Sequence, residues 1–254
     1  MNKFWDTGEE VKEKNNRCID YKIESFGDLL KAFKSISKQP HLFKAKNDKD
    51  VGDFFEKLLG KTVDNKEFPD LEEIETEIKT SGGKKKTTGF TKSPEGGMAI
   101  RELVDKFGYV SDLGEINKNG DTMKRLMISL NYKPNNRGFY LKVDDNKLYI
   151  MKDGEKLSWW NISTLVESIV GKMPNLAFIN YTKTTETVSF NDLILYQDIN
   201  PENIIELIQN SEMIVDIRAR HGRTGESYVR DRGTAFRLKN HNVYSKLFER
   251  QTRS

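Results

Sequence analysis

Residues 68–80 read FPDLEEIETEIKT, and their reading decides how the rest of the chain is arranged. From Ile74 onward apolar and polar side chains alternate, the period of a half-buried strand. The alternation predicts Glu75, Glu77 and Lys79 on one face and Ile74, Thr76 and Ile78 on the other. Asp70 follows Pro69, seven residues before Glu77, where the chain can curve its carboxylate toward the same spot. Two acids and a lysine then converge.

That convergence has a chemical use. Two carboxylates offer hard oxygen ligands to Mg²⁺, which keeps several waters and bridges to phosphate oxygens, and a bound divalent ion acidifies a water into a nucleophile. A lysine beside them can hold that water. The same spacing also fits an acid-rich strand edge that is simply solvated, so the segment alone leaves the two readings level.

A chain of 254 residues has room for one large domain or two lobes, and 36% hydrophobic residues beside 32% charged ones describe a folded globular protein. No apolar run approaches the ~20 residues of a membrane span. The start, MNKFWDTGEEVKEK, lacks an apolar signal-peptide core, so a cytoplasmic protein is expected, with no membrane partner. Cys18 is the one cysteine, which excludes an internal disulfide or thiolate cluster, and His41, His221 and His241 lack the spacing of a zinc site.

The net charge of +3 is unevenly spread. Ten Lys/Arg stand against four Asp/Glu in residues 216–254, and eight of the twelve arginines lie there. Arginine's planar fork suits guanine edges and phosphates. A basic C-terminal surface is therefore expected.

Around the acidic segment, Phe26, Leu29, Leu30 and Phe33 have helical spacing, residues 44–50 read as a loop, and residues 51–59 read as a helix carrying Glu56. Glu56 on its own also fits an exposed helix carboxylate. Ser81-Gly82-Gly83-Lys84-Lys85-Lys86 suits a hairpin loop near phosphates, with residues 87–92 as the return strand; it is not a P-loop, because the leading glycine is absent. Strands are expected near 139–143, 147–151 and 156–160, with a turn at Asp153-Gly154, then a helix over 163–171 and a strand over 176–181. Trp159 and Trp160 read as core.

The ordered array VGDFFEKLLG, PDLEEIETEIKT, GFTKSP and VDIRARHGRTGESYVRDRGTAFRL resembles the MvaI/BcnI family of restriction endonucleases, relatives of the mismatch-repair nickase MutH among the PD-(D/E)XK nucleases. The resemblance covers about residues 51–238. A lone PD…ExK is a weak motif; its order with FTKSP and RGTAFRL makes it specific.

The resemblance implies an α/β (α+β) restriction-endonuclease-like PD-(D/E)XK core, a mixed sheet flanked by helices, with two lobes around a DNA cleft. A catalytic lobe is expected over residues 1–182, with an insertion near 95–155, and a recognition lobe over 183–254. It assigns Asp70 as the acid bridging the metal, Glu77 as the second ligand with the Ile78 carbonyl nearby, Lys79 as the residue that orients or activates water, and Glu56 as an additional active-site glutamate. The gap between Asp70 and Glu77 is longer than in some members and closer to that of MutH, which leaves Glu75 as a substitute for Glu77.

At the other end, Arg230-Asp231-Arg232 stands where the family reaches base edges, in a form that departs from the histidine-containing members. Arg218, Arg220, His221, Arg223, Tyr228, Thr234 and Arg237 are further candidates for bases or phosphates, and Lys84, Lys85 and Lys86 for phosphates. The implied activity is Mg²⁺-dependent cleavage of double-stranded DNA, with Mn²⁺ as a substitute, by a monomer that cuts the strands in succession. The implied setting is a bacterial restriction-modification system shared with a methyltransferase. A MutH-like nickase and a non-catalytic DNA-binding protein are the alternatives.

Overall fold

The computed structural model describes residues 21–61, 68–83, 86–110, 116, 122–221 and 229–254. In chain order the elements are α1 (Phe26–Ile36), β1 (His41–Leu42), α2 (Asp48–Leu58), β2 (Thr76–Ser81), β3 (Thr87–Thr91), β4 (Gly96–Gly97), α3 (Ile100–Phe107), β5 (Tyr109–Val110), β6 (Lys124–Leu130), β7 (Phe139–Asp144), β8 (Lys147–Lys152) and β9 (Glu155–Asn161). There follow α4 (Ile162–Lys172), β10 (Asn175–Lys183), β11 (Thr187–Ile199), α5 (Asn203–Gln209), β12 (Met213–His221), β13 (Val229–Asp231), β14 (Ala235–Leu238), α6 (Tyr244–Leu247) and β15 (Phe248–Arg253). They form two compact units, each drawn from separated stretches: Met1–Lys85 with Gly171–Ile199 and Phe248–Ser254, and Lys86–Val170 with Asn200–Leu247. Residues 183–199 and 248–254, expected in the recognition lobe, thus belong to the unit that holds Asp70 and Glu77.

The first unit is a mixed sheet in the order β1-β11-β10-β2, with β15 added to β11. Among the described strands only β2 and β10 run parallel, with the 86–170 stretch of the second unit inserted in the crossover between them. Parallel neighbours need such a long connection. Two amphipathic helices cover one face of this sheet. Ser25 caps α1 by accepting from Asp28 N at 3.2 Å. Asn47 and Asp50 form a capping box at the start of α2, so the polar run expected as a loop turns helical at Asp48.

Leu29, Phe33 and Ile36 of α1 and Val51, Phe55 and Leu58 of α2 recur at three- and four-residue spacing. They pack in one buried cluster with Ile78, Ala177, Ile179, Phe190 and Leu195 of the sheet. Full burial of each Val, Leu, Ile or Phe side chain among them contributes about 1.5–3 kcal/mol. Ile78 is the link between this core and the chemistry, because burying it turns Glu77 and Lys79, its neighbours on β2, to the opposite face.

The second unit has two antiparallel sheets, β3-β14-β12-β6-β5 with β13 on β12, and β4-β9-β8-β7. The strand expected over residues 87–92 is present as β3, but it pairs with β14 in a different sheet instead of forming a hairpin with β2. Tertiary packing overrides the local turn signal: Phe90 stacks on Phe236 at 4.5 Å, and Trp160 meets Phe236 edge-on at 5.4 Å. The motifs GFTKSP and RGTAFRL are therefore adjacent strands of one sheet. Trp160 is fully buried and donates from Nε1 to Lys92 O at 3.1 Å. The β7-β8-β9 meander follows its turn chemistry, with positive φ at Asp145, Asn146, Asp153 and Gly154. No helix among the described residues is long and apolar enough to cross a membrane.

Candidate active site

The strand expected from Ile74 begins at Thr76. Upstream, Leu71 and Thr76 exchange both backbone hydrogen bonds, Leu71 N to Thr76 O at 2.9 Å and Thr76 N to Leu71 O at 3.0 Å. Between them Glu72–Ile74 form one 3-10 turn and Glu75 takes a left-handed φ of 47°. The long gap between Asp70 and Glu77 is absorbed in this closed loop. Glu75 is exposed in the turn and off the strand, whereas Asp70 is folded back onto β2, its Oδ2 accepting from Ile78 N at 2.8 Å.

Glu77 is only 2% exposed. Its Oε1 accepts a hydrogen bond from Lys79 Nζ, and its Oε2 lies 3.0 Å from Lys172 Nζ. Lys172 also donates to Phe68 O at 2.8 Å, tying the entrance of the Asp70 loop to the same carboxylate. This second lysine escapes sequence reasoning. No local pattern marks it, and the pairing of Leu176 with Glu77 across β10 and β2 brings the end of α4 alongside.

Burial pushes the Asp70 carboxyl up to about 6, and the negative charge of Glu77 adds to this; the Ile78 N–H, Lys79 and Lys172 pull the other way. Glu56 is pushed up to about 7, first by burial and then by Asp70, Asp53 and Glu77. Three carboxylates of the first unit thus repel one another in a partly dehydrated place. Among the described residues no group of three or more His, Cys, Asp or Glu side chains has metal-holding spacing. Asp70, Glu77 and the Ile78 carbonyl offer hard oxygens of the kind that could hold Mg²⁺ with its remaining waters. Glu77 Oε2 is buried, with the Lys172 ammonium 3.0 Å away.

For the metal-free protein the sign is definite. A carboxyl whose folded value is raised favours the folded state below its ordinary value of 4.5 and loses that contribution as pH rises through about 7. Glu56→Gln should accordingly raise the melting temperature of chelator-treated protein at pH 8 by a few degrees and leave it nearly unchanged at pH 5. Thermal melts at the two pH values check this.

The other candidates fall into distinct groups. Arg230 and Arg232 are exposed, at and just beyond β13. Asp231 Oδ1 accepts from Gly233 N at 2.8 Å, fixing a turn in which Gly233 has φ +82°. Arg218 donates from Nη2 to Arg232 O at 3.1 Å and Gly233 O at 3.3 Å, supporting that turn from β12. Thr234 is fully buried, and Arg237 is tied to Asp216 at 2.9 Å and to Lys86 O at 3.2 Å.

His221 accepts from Lys124 N through Nδ1 at 3.2 Å, which leaves Nε2–H to donate to Asp105 at 2.8 Å. Arg220 donates to His221 O at 2.8 Å. Arg250 and Arg253, part of the basic C-terminal count, pair with Asp198 and Asp192 of β11 in the first unit. Lys86 is exposed. Lys84, Lys85, Arg223 and Tyr228 lie outside the described residues.

Comparison with known proteins gives consistent results. The chain is similar in structure to restriction endonuclease MvaI in a complex with its cognate DNA substrate, with a TM-score of 0.71 and 23% identity over 88% of this chain and 96% of that one. It is also similar to MvaI in the absence of DNA, with a TM-score of 0.51 and 20% identity over 88% and 94%. These likenesses show a restriction-endonuclease-like fold. No curated protein matches. The MvaI/BcnI restriction endonuclease family matches residues 30–248, a span that takes in most of α1 and both units, and the chain belongs to that family.

Proposed function

We propose that this protein hydrolyses phosphodiester bonds of double-stranded DNA at a short sequence containing G·C pairs, with Mg²⁺ held by Asp70, Glu77 and the Ile78 carbonyl. The observation that carries the reading is the meeting of Asp70 and Glu77 on β2, where burial and mutual repulsion push Asp70 up to about 6 while Lys79 and Lys172 lie against Glu77. When bound, the ion would polarise the phosphate and acidify a water. Lys79, bonded to Glu77, is placed to orient that water. Asp70 is held by the Ile78 N–H through Oδ2, which leaves Oδ1 as the oxygen it would offer the ion. Glu56 retains a proton up to about pH 7 and is suited to exchange one with water nearby.

The family supports a nuclease, and the MvaI complex with cognate DNA supports a duplex substrate. The biological setting proposed is a bacterial restriction-modification system, in the cytoplasm, with a methyltransferase of the same specificity. The enzyme acts as a monomer, so one active site cuts the two strands in succession and a nicked intermediate precedes the linear product.

The test is digestion of supercoiled plasmid followed by sequencing of the ends. Cleavage is expected with Mg²⁺ or Mn²⁺, with nicked circles appearing first. Ca²⁺, larger and a poorer Lewis acid, should support binding without efficient cleavage. Full activity in excess chelator, or second-order dependence on enzyme with a dimer in sedimentation, would refute the respective parts.

A further inference from the structure

Glu77 is a buried carboxylate whose two oxygens face two different ammonium groups. Lys79 donates to Oε1, and Lys172 Nζ lies 3.0 Å from Oε2. Lys79 is placed by β2 itself, two residues along the strand from Glu77. Lys172 is placed by the register of β10 on β2. Leu176 stands opposite Glu77, and Asn175 fastens the start of β10 to the turn before β2, its N donating to Glu75 O at 3.1 Å and its Nδ2 to Ile74 O at 3.3 Å. Met173, next to the lysine, is fully buried. The stem of Lys172 therefore starts from a fixed backbone position.

The ammonium is held at its other end too, donating to Phe68 O at 2.8 Å. It thus lies between the carboxylate of Glu77 and the entrance of the segment that carries Asp70. Burial raises the Asp70 carboxyl, and the charge of Lys172 is among those that pull it back. The lysine and both acids belong to one compact unit. A buried carboxylate needs a compensating charge, and losing its partner is costly. A divalent ion supplies that compensation from outside the chain; Lys172 supplies it from within.

We infer that Lys172 is a positioning residue that takes the place of the divalent ion in the metal-free protein, pairing with Glu77 Oε2 and competing with the ion for it. The inference rests on the proposed holding of Mg²⁺ by Asp70 and Glu77. Without the ion, the ammonium offsets the repulsion between the two acids, so both stay in place on and beside β2. Two cations against one carboxylate oxygen repel each other, so the built-in ammonium lowers the affinity for the ion. Glu77 exchanges one cation for another at Oε2, while Oε1 stays with Lys79.

The experiment measures Mn²⁺ binding to full-length protein without DNA, from the electron paramagnetic resonance signal of the free ion, together with thermal melts in chelator and in saturating Mn²⁺. Lys172→Met keeps the aliphatic stem and removes the charge. It should bind Mn²⁺ more tightly than wild type, on the order of tenfold, the scale of a one-unit electrostatic interaction. In chelator it should melt several degrees below wild type, and saturating Mn²⁺ should close most of that gap. Lys172→Arg, which restores a cation, should return the affinity toward the wild-type value.

A folded Lys172→Met protein with unchanged or weaker Mn²⁺ binding overturns the inference and leaves Lys172 a tether to the Phe68 carbonyl, whose loss would lower the melt equally in chelator and in Mn²⁺. An equal tightening in Lys183→Met, whose ammonium pairs with Asp48, would reduce the effect to general charge and overturn it as well. If Lys172→Met does not fold, the double variant with Glu77→Gln decides. Recovery of a folded protein supports the pairing, and failure to recover overturns it. Wild-type protein that binds no Mn²⁺, or binds it equally well after Asp70→Ala, overturns the metal-site reading and this inference with it.

Discussion

Asp70→Ala, Glu77→Ala and Lys79→Ala are each expected to lower cleavage by at least about a thousandfold while duplex binding in Ca²⁺ persists, the scale set by loss of metal-assisted water activation and of positioned proton transfer. The three losses have different physical origins. Without Asp70 the Ile78 N–H loses its acceptor and one oxygen donor disappears. Without Glu77 two ammonium groups, Lys79 and Lys172, are left around an emptied buried position. An uncompensated buried charge is costly, so Glu77→Gln is the companion variant, keeping volume while removing charge.

Lys79→Ala leaves both carboxylates and should retain metal-dependent stabilisation of the fold while losing activity. Cleavage rates, binding and melting curves on the same preparations separate these outcomes. Near wild-type cleavage by Glu77→Ala together with a dead Glu75→Ala would move the second ligand into the turn.

The local placement of Asp70, Glu77 and Lys79 was legible because the information is local. Asp70, Glu77 and Lys79 lie within one short segment, and a period of two suffices to put Glu77 and Lys79 on a common side while Ile78 enters the core. The helices α1 and α2 were legible for the same reason, from apolar spacing and capping residues. The start of β2 was not, because Ile74-Glu75-Thr76 alternates like a strand while the mutual bonds of Leu71 and Thr76 close it into a turn.

What sequence reading missed depends on distant pairing. Lys172 reaches Glu77 only through the crossover that sets β10 beside β2. The expected β2-β3 hairpin failed for a related reason. Gly82 and Gly83 permit a turn, but Phe90 gains its stacking partner from β14. Arg250 and Arg253 counted toward a basic surface that their pairs with Asp198 and Asp192 partly neutralise.

Arg230→Ala and Arg232→Ala are expected to lower cognate cleavage far more than non-specific binding. Across a strand successive side chains alternate, so the pairing of Arg230 with Arg220 and of Asp231 with Ala219 sets Arg230 on the side opposite Asp231. Asp231 is engaged with Gly233 N, and Arg218 holds the carbonyls of Arg232 and Gly233, so the segment is presented on a supported turn. An arginine that pairs with guanine through both nitrogens contributes about 1–3 kcal/mol of discrimination, roughly 5- to 150-fold. A phosphate-bound arginine gives salt-dependent affinity that is indifferent to sequence.

Competition between cognate and single-substitution duplexes therefore distinguishes the two roles. Each alanine variant should flatten discrimination at one G·C position, while neutralising Lys84 or Lys85 should weaken binding to all sequences and reduce the salt dependence. Asp231→Ala should act through the turn, blurring preference at the positions read by both arginines rather than at a cytosine of its own. Full sequence preference in both arginine variants, with only general affinity lost, would shift base reading toward Arg218, Arg220 and Arg223.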